Sequence, residues 1–191
     1  MFGGRARIYR PDPVSLNVVA KRKLVRPESR VNFREKIVAW EKLPAWRAAV
    51  RAGGKKLVVT NGCFDLLHLG HVTYLENARN LGAALLVGLN SDASVGQLKG
   101  PERPVNNEAD RAAVVAALAS VDGVCIFNEQ TAVRFLAAAQ PDFYVKGGDY
   151  TLNTLNQEER RAVESAGGTI VIVPVVPGRS TTALLQKIAR L

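Results

Sequence analysis

Cysteine, histidine and long apolar runs are all scarce in this chain. Two cysteines among 191 residues, Cys63 and Cys125, cannot build a disulfide framework. An apolar core must therefore hold the fold, and a reducing, cytoplasmic setting is the simplest one. The longest charge-free apolar stretch, Ala112 to Val121, is half of the ~20 residues that a membrane-spanning helix requires. The opening segment MFGGRARIYRPDP has no apolar centre of the kind a secretory signal needs, although its arginines leave an organellar transit peptide open. Sixteen Gly and nine Pro, with 47% hydrophobic residues, exclude collagenous, mucin-like and wholly disordered chains.

The charge is unevenly spread. Of the net +9, residues 1–56 hold fifteen Lys/Arg against four Asp/Glu, and the rest hold eleven against thirteen. The basic character thus belongs to the N-terminal part and not to the main domain. That distribution argues against nucleic acid as the partner of the fold itself. A cationic arm that meets nucleic acid, an acidic subunit or a membrane surface stays open as an alternative.

Residues 1–35, with three prolines and nine Lys/Arg, read as an extended basic arm. Residues 36–191 read as one domain. A helical pattern over 36–51, with Pro44 near a break, ends at Gly53-Gly54. Beyond it, short β-branched runs alternate with helical periods. Strands are expected at 57–60, 85–89, 124–127, 143–145 and 169–173. Helices are expected at 70–81, 108–120, 131–139 (capped by Thr131), 156–166 and 180–190, with a polar loop from the second strand to Asn107. This pattern predicts an α/β fold, Rossmann-like, with a five-stranded parallel sheet covered by helices.

Open parallel sheets bind ligands beyond the carboxyl ends of their strands. Four segments fall there: Thr60 to Asp65; Asn90 to Asp92 with Leu98 to Pro104; Lys146 to Tyr150; and Gly178 to Thr182. Their glycines, hydroxyls and cations suit an anionic ligand. Both histidines of the chain lie in His68-Leu69-Gly70-His71. With a helix begun at His68, both imidazoles face one side of its first turn, and Gly70 leaves room for a phosphate. Two other readings of these residues stay open. They are ordinary helix-start histidines, or a zinc set formed with Cys63 and Asp65.

The run Thr60-Asn61-Gly62-Cys63-Phe64-Asp65-Leu66-Leu67-His68-Leu69-Gly70-His71 resembles the signature of the cytidylyltransferase-like nucleotidyltransferases, whose hallmark is HxGH. Arg179-Ser180-Thr181-Thr182 resembles that family's late hydroxyl-rich helix start. Leu98-Lys99-Gly100-Pro101 with Arg103-Pro104, and Val145-Lys146-Gly147-Gly148-Asp149-Tyr150, are similar to the ADP-heptose synthase branch. The resemblance covers about residues 36–191 and implies the stand-alone form of that enzyme. Asn128-Glu129-Gln130-Thr131 departs from it, where a more acidic stretch ending in proline is expected.

The implied reaction is transfer of AMP from ATP, carried with Mg²⁺, to a heptose 1-phosphate. Cytidylyl transfer to glycerol 3-phosphate or phosphoethanolamine is the alternative. By resemblance, His68, His71 and Lys99 are catalytic, with Lys99 on a Gly/Pro loop that closes over the phosphates. Thr60, Asn61, Gly62, Cys63, Phe64, Gly70, Lys146, Gly147, Asp149, Arg179, Ser180, Thr181 and Thr182 hold the nucleotide. Asp65, Arg103 and Arg111 are assigned to the acceptor, with a surface role for Arg111 left open. No protein metal ligand is implied. The partners are ATP and a sugar 1-phosphate, and a homodimer stays open.

Overall fold

The computed structural model describes residues 32–148, 150–174 and 176–191. All of the expected arm except its last four residues therefore lies outside the described residues, as do Asp149 and Val175. Asn32 caps a short 3₁₀ turn, Phe33–Lys36, and a second one spans Trp40–Lys42. Between them Val38 donates its N–H to the Val124 carbonyl. Helix α1 (Leu43–Ala52) follows. Pro44 lies in its first turn, where the missing N–H costs nothing, so this proline starts the helix instead of breaking it.

Five strands follow: β1 (Leu57–Gly62), β2 (Ala84–Asn90), β3 (Gly123–Phe127), β4 (Phe143–Gly147) and β5 (Thr169–Val173). All pair in parallel in the order β3-β2-β1-β4-β5. The expected five-stranded parallel Rossmann-like sheet is present. Helices α2 (Leu69–Arg79), α3 (Asp92–Lys99), α4 (Glu108–Ala116), α5 (Val133–Ala139), α6 (Gln157–Ser165) and α7 (Thr181–Ile188) flank it. Alternate strand residues feed two apolar layers. Leu57, Val59, Leu86 and Tyr144 pack with Phe135, Leu136 and Val163 on one face. Val58, Leu85, Val87 and Val145 pack with Leu75, Ala112 and Val115 on the other. Gly88 in β2 is required by this packing, since a Cβ there would lie 2.4 Å from the Phe135 ring.

Two local expectations are corrected. The polar stretch after β2 is not wholly loop. Ser91 caps α3 by accepting the Ser94 N–H, and Asp92 favours the first turn, so the chain stays helical through Lys99. Helix α5 begins later than expected, at Val133, with Ala132 as an N-cap that makes no side-chain hydrogen bond. Glu159 of α6 accepts the Ala132 N–H instead, which makes a Thr131 cap unnecessary. Among the described residues, no helix is long and apolar enough to cross a membrane.

Candidate active site

The carboxyl end of β1 runs straight into the first wall of a cleft of about 610 Å³. Phe64 takes the left-handed conformation there, φ 44°, a strained choice for a residue with a side chain. Its ring is buried against the His71 imidazole, with centroids 5.3 Å apart. His68 is extended and is the N-cap of α2, whose first helical residue, Leu69, comes one residue before the expected start at Gly70. The His68 carbonyl accepts from the His71 and Val72 N–H groups, the first bonds of the helix. The two imidazoles still meet and stack, with centroids 3.9 Å apart and planes 21° from parallel.

Gly70 allows that stack. A Cβ at this position would lie 2.9 Å from two His68 ring atoms and 3.2 Å from the Arg179 Cβ. Burial, then the Arg179 charge, lowers the His68 pKa. Burial, then His68, pushes His71 down to about 4, against a hydrogen bond at the Leu66 backbone. Both rings are therefore neutral near pH 7. Neither buried Nδ1 has a hydrogen-bond partner among the described residues. Facing them, Ser180 caps α7, its Oγ accepting the Ala183 N–H at 3.1 Å. Thr181 Oγ1 donates to the Leu66 carbonyl at 3.4 Å and ties α7 to the β1–α2 turn.

The cleft wall gathers nearly every residue that the sequence singled out. Asn61, Gly62, Cys63, Phe64, Asp65, His68, Gly70 and His71 line it from the β1 side. Lys99 and Arg103 line it from α3 and beyond, Lys146 and Gly147 from β4, Arg179 and Ser180 from the turn that leads into α7, and Thr181 and Thr182 from α7 itself. Lys99 ends α3 and is exposed, followed by Gly100 at φ 100°, so a helix end and not a loop presents its ammonium. Cys63 is half-buried, and burial raises its thiol pKa despite the Lys99 charge. Such a thiol is a poor nucleophile.

Three residues sit differently from their expected places. Thr60 is buried behind the wall, its hydroxyl 2.6 Å from that of Tyr74, which donates to the Val145 carbonyl. Arg111 is 1% exposed and spends its donors inside the protein. Nε donates to Asn106 O at 2.9 Å, and the two terminal nitrogens donate to Cys63 O and Asp92 Oδ1 at 2.6 and 2.7 Å. Asp65 accepts from Arg103 Nε at 2.7 Å and from the Val105 and Asn106 N–H groups. Burial would raise its carboxyl, but these bonds hold it below its ordinary value. Asp65 and Arg111 thus pin the segment after α3 to the β1–α2 turn. The zinc alternative lacks its carboxylate for the same reason. Among the described residues, no group of three His, Cys, Asp or Glu side chains is placed to hold a metal.

Sequence reasoning missed Tyr74, Tyr144 and Glu159. Tyr144 shares a strand with Lys146, two residues away, so both project to one face. Nothing distinguished Glu159 from its solvated neighbour Glu158.

The profile of the cytidylyltransferase-like family matches residues 59–186. The chain is similar to the "Bifunctional protein HldE" of Geotalea uraniireducens, with 52% identity over 153 residues, 80% of this chain and 31% of that protein. It therefore spans under a third of the curated relative it matches. Among solved structures it resembles a lipopolysaccharide core biosynthesis protein from Thermoplasma volcanium at 27% identity and a TM-score of 0.52, covering 64% of this chain and 98% of that one. A pantoate-beta-alanine ligase from Francisella tularensis shares the fold alone, at 9% identity and a TM-score of 0.50, covering 81% of this chain and 80% of that one.

Proposed function

The chain belongs to the cytidylyltransferase-like family and is a nucleotidyltransferase, and on that premise we propose that it transfers AMP from ATP to D-glycero-β-D-manno-heptose 1-phosphate, releasing pyrophosphate and ADP-heptose. The carrying observation is the stacked pair of neutral imidazoles at the head of α2, facing the hydroxyl-rich start of α7 across one cleft.

The attacking oxygen belongs to a phosphate that is already anionic, so the reaction needs no general base. Catalysis reduces to alignment and to stabilising charge that builds on the α-phosphoryl oxygens and the departing pyrophosphate. His68 and His71 donate N–H groups to those oxygens. Ser180, Thr181 and Thr182, at the positive end of the α7 dipole, receive the β- and γ-phosphates. Lys99 and Arg103 line the same cleft, and the acceptor phosphate would meet them. Mg²⁺ arrives with ATP as part of the substrate. Asp65 is committed to Arg103 and the 105–106 backbone, which leaves that carboxylate no role in holding the ion.

The test is incubation with ATP or CTP, Mg²⁺ and a panel of phosphorylated acceptors, followed by pyrophosphate detection and product mass. ADP-heptose formed from ATP and heptose 1-phosphate is the expected result. CDP-glycerol from CTP and glycerol 3-phosphate, with no reaction from ATP, would replace this reading with the cytidylyl alternative.

A further inference from the structure

Beneath the cleft wall, side chains from β1, β4 and α6 converge in one buried knot. Glu159 is 5% exposed and Lys146 is 8% exposed. Glu159 Oε1 accepts the Ala132 N–H at 2.9 Å, and Oε2 accepts the Tyr144 hydroxyl at 2.8 Å. Lys146 Nζ lies 3.6 Å from the same Oε2. The one Tyr144 proton serves either that Oε2 or Asn61 Oδ1, which lies 2.7 Å from the hydroxyl oxygen, and the Lys146 ammonium donates to Asn61 Oδ1 at 3.1 Å.

This convergence decides which way the Asn61 amide faces. A flipped amide would set its NH₂ against the ammonium, whereas the observed orientation places the oxygen inward on the Lys146 ammonium, which has no lone pair to accept with. The NH₂ is then left to the cleft, whose wall Asn61 forms. A buried ion pair adds little net stability compared with apolar packing. Its presence under a binding wall is better explained by geometry that a ligand needs.

We propose that Glu159, itself held by Tyr144, is a positioning residue of the nucleotide site, which anchors Lys146 and through it makes Asn61 an obligatory hydrogen-bond donor to the bound nucleotide. The inference rests on the reading of the cleft as a nucleotide site. The ligand group Asn61 meets is an acceptor, an oxygen or ring nitrogen without a hydrogen. An Asn free to flip would accept as readily as it donates; this one cannot.

The groups facing Lys146 are Glu159 from α6, Asn61 from β1, and the rings of Tyr144 and Tyr150, at 5.3 and 4.8 Å. Burial lowers the Lys146 pKa, and Glu159 opposes that fall. Burial and then Glu159 raise the Tyr144 hydroxyl well above its ordinary value. Lys146 is accordingly the group of the knot that loses its proton first as the solution becomes alkaline. A Glu159→Gln change keeps the shape and the bond to Ala132 but removes the charge that retains the proton.

The experiment is calorimetric binding of a non-hydrolysable ATP analogue across pH 6 to 10, with a thermal melt of each variant. Glu159→Gln should fold and weaken binding about ten-fold, the size of a lost charge-assisted hydrogen bond. Its alkaline loss of affinity should begin roughly one pH unit below that of the wild type. Tyr144→Phe, which keeps the ion pair, should weaken binding about three-fold, within the range for a neutral hydrogen bond, without moving the pH limb. A folded Glu159→Gln protein with unchanged affinity and pH limb would overturn the proposal. If Glu159→Gln does not fold, Tyr144→Phe decides: weakened binding supports the proposal and unchanged binding overturns it. A wild-type protein that binds no nucleotide overturns the proposed function, and this inference with it.

Discussion

His68 and His71 stack with ring centroids 3.9 Å apart and planes 21° from parallel, so neither ring can shift without the other. Each ring buries and orders the other. His68→Ala and His71→Ala should each lower kcat about 10²- to 10⁴-fold, or ~3–5 kcal/mol of transition-state stabilisation. Both rings stand on the cleft rim, so melting temperatures should change little. Single-turnover rates with matched melts check this, and near-normal turnover in either variant would remove the central assignment.

Gly70→Ala tests the stack without deleting a ring. The added Cβ would lie 2.9 Å from the His68 imidazole and displace it. The expected loss in kcat is about ten-fold, ~1.4 kcal/mol, with α2 intact by circular dichroism. Full activity would mean that the His68 position is not critical.

Acid should weaken the fold through His71. Its folded pKa is pushed to about 4, below the ordinary imidazole value of 6.5. Between those values the unfolded chain binds a proton that the folded one refuses. Stability is therefore flat above about pH 6.5 and falls as pH drops toward 4. Asp65 and Asp142, both held below their ordinary values, add losses only below that window. Melts from pH 8 to 4 should show a shallower decline for His71→Gln than for the wild type, and identical slopes would refute the assignment.

Arg111 should behave as a structural clamp. Arg111→Lys keeps the charge but cannot reach Cys63 O, Asn106 O and Asp92 together, and a loss of about 2–4 kcal/mol is expected in urea unfolding. Asp65→Asn should cost about 1–3 kcal/mol and raise the acceptor KM, because the 103–106 segment loses its anchor. An Arg111→Lys protein of normal stability and raised acceptor KM would return Arg111 to direct acceptor contact.

Lys99 and Ser180 should separate kinetically. Lys99→Ala is expected to lower kcat with ATP KM nearly unchanged, and Ser180→Ala to raise ATP KM with a smaller effect on kcat. Removing the cap also costs α7 about 1 kcal/mol. Steady-state kinetics that show the reverse would interchange the two roles.

The strands and their parallel pairing were legible because their apolar runs are short, β-branched and alternate with helical periods; the order of the strands across the sheet was not. Helix α3 was not, since its polar face and Gly96 imitate a loop, although Ser91-Asp92 is a helix start. HxGH and the late Ser-Thr-Thr announced the cleft through local spacing. The Asn61–Tyr144–Lys146–Glu159 knot joins residues up to 98 positions apart, and no local pattern records such a meeting. Arg111 misled for a related reason: the sequence shows a charge, and only packing shows that its partners are two carbonyls and the Asp92 carboxylate.

Helix α7 and its N-cap Ser180 carry three of the cleft's hydroxyl-bearing residues, yet none of the helix's eight residues is buried, whereas α4 buries four of its nine. A helix held by so few apolar contacts opens locally at small free-energy cost. Any anion seated on its first turn adds its own interaction energy to that local stability. Hydrogen exchange along 181–188 thus becomes a gauge of cleft occupancy, fast in the free protein and slowed by whatever phosphate arrives, while the amides of β1 and β2 continue to report only the unfolding of the whole domain.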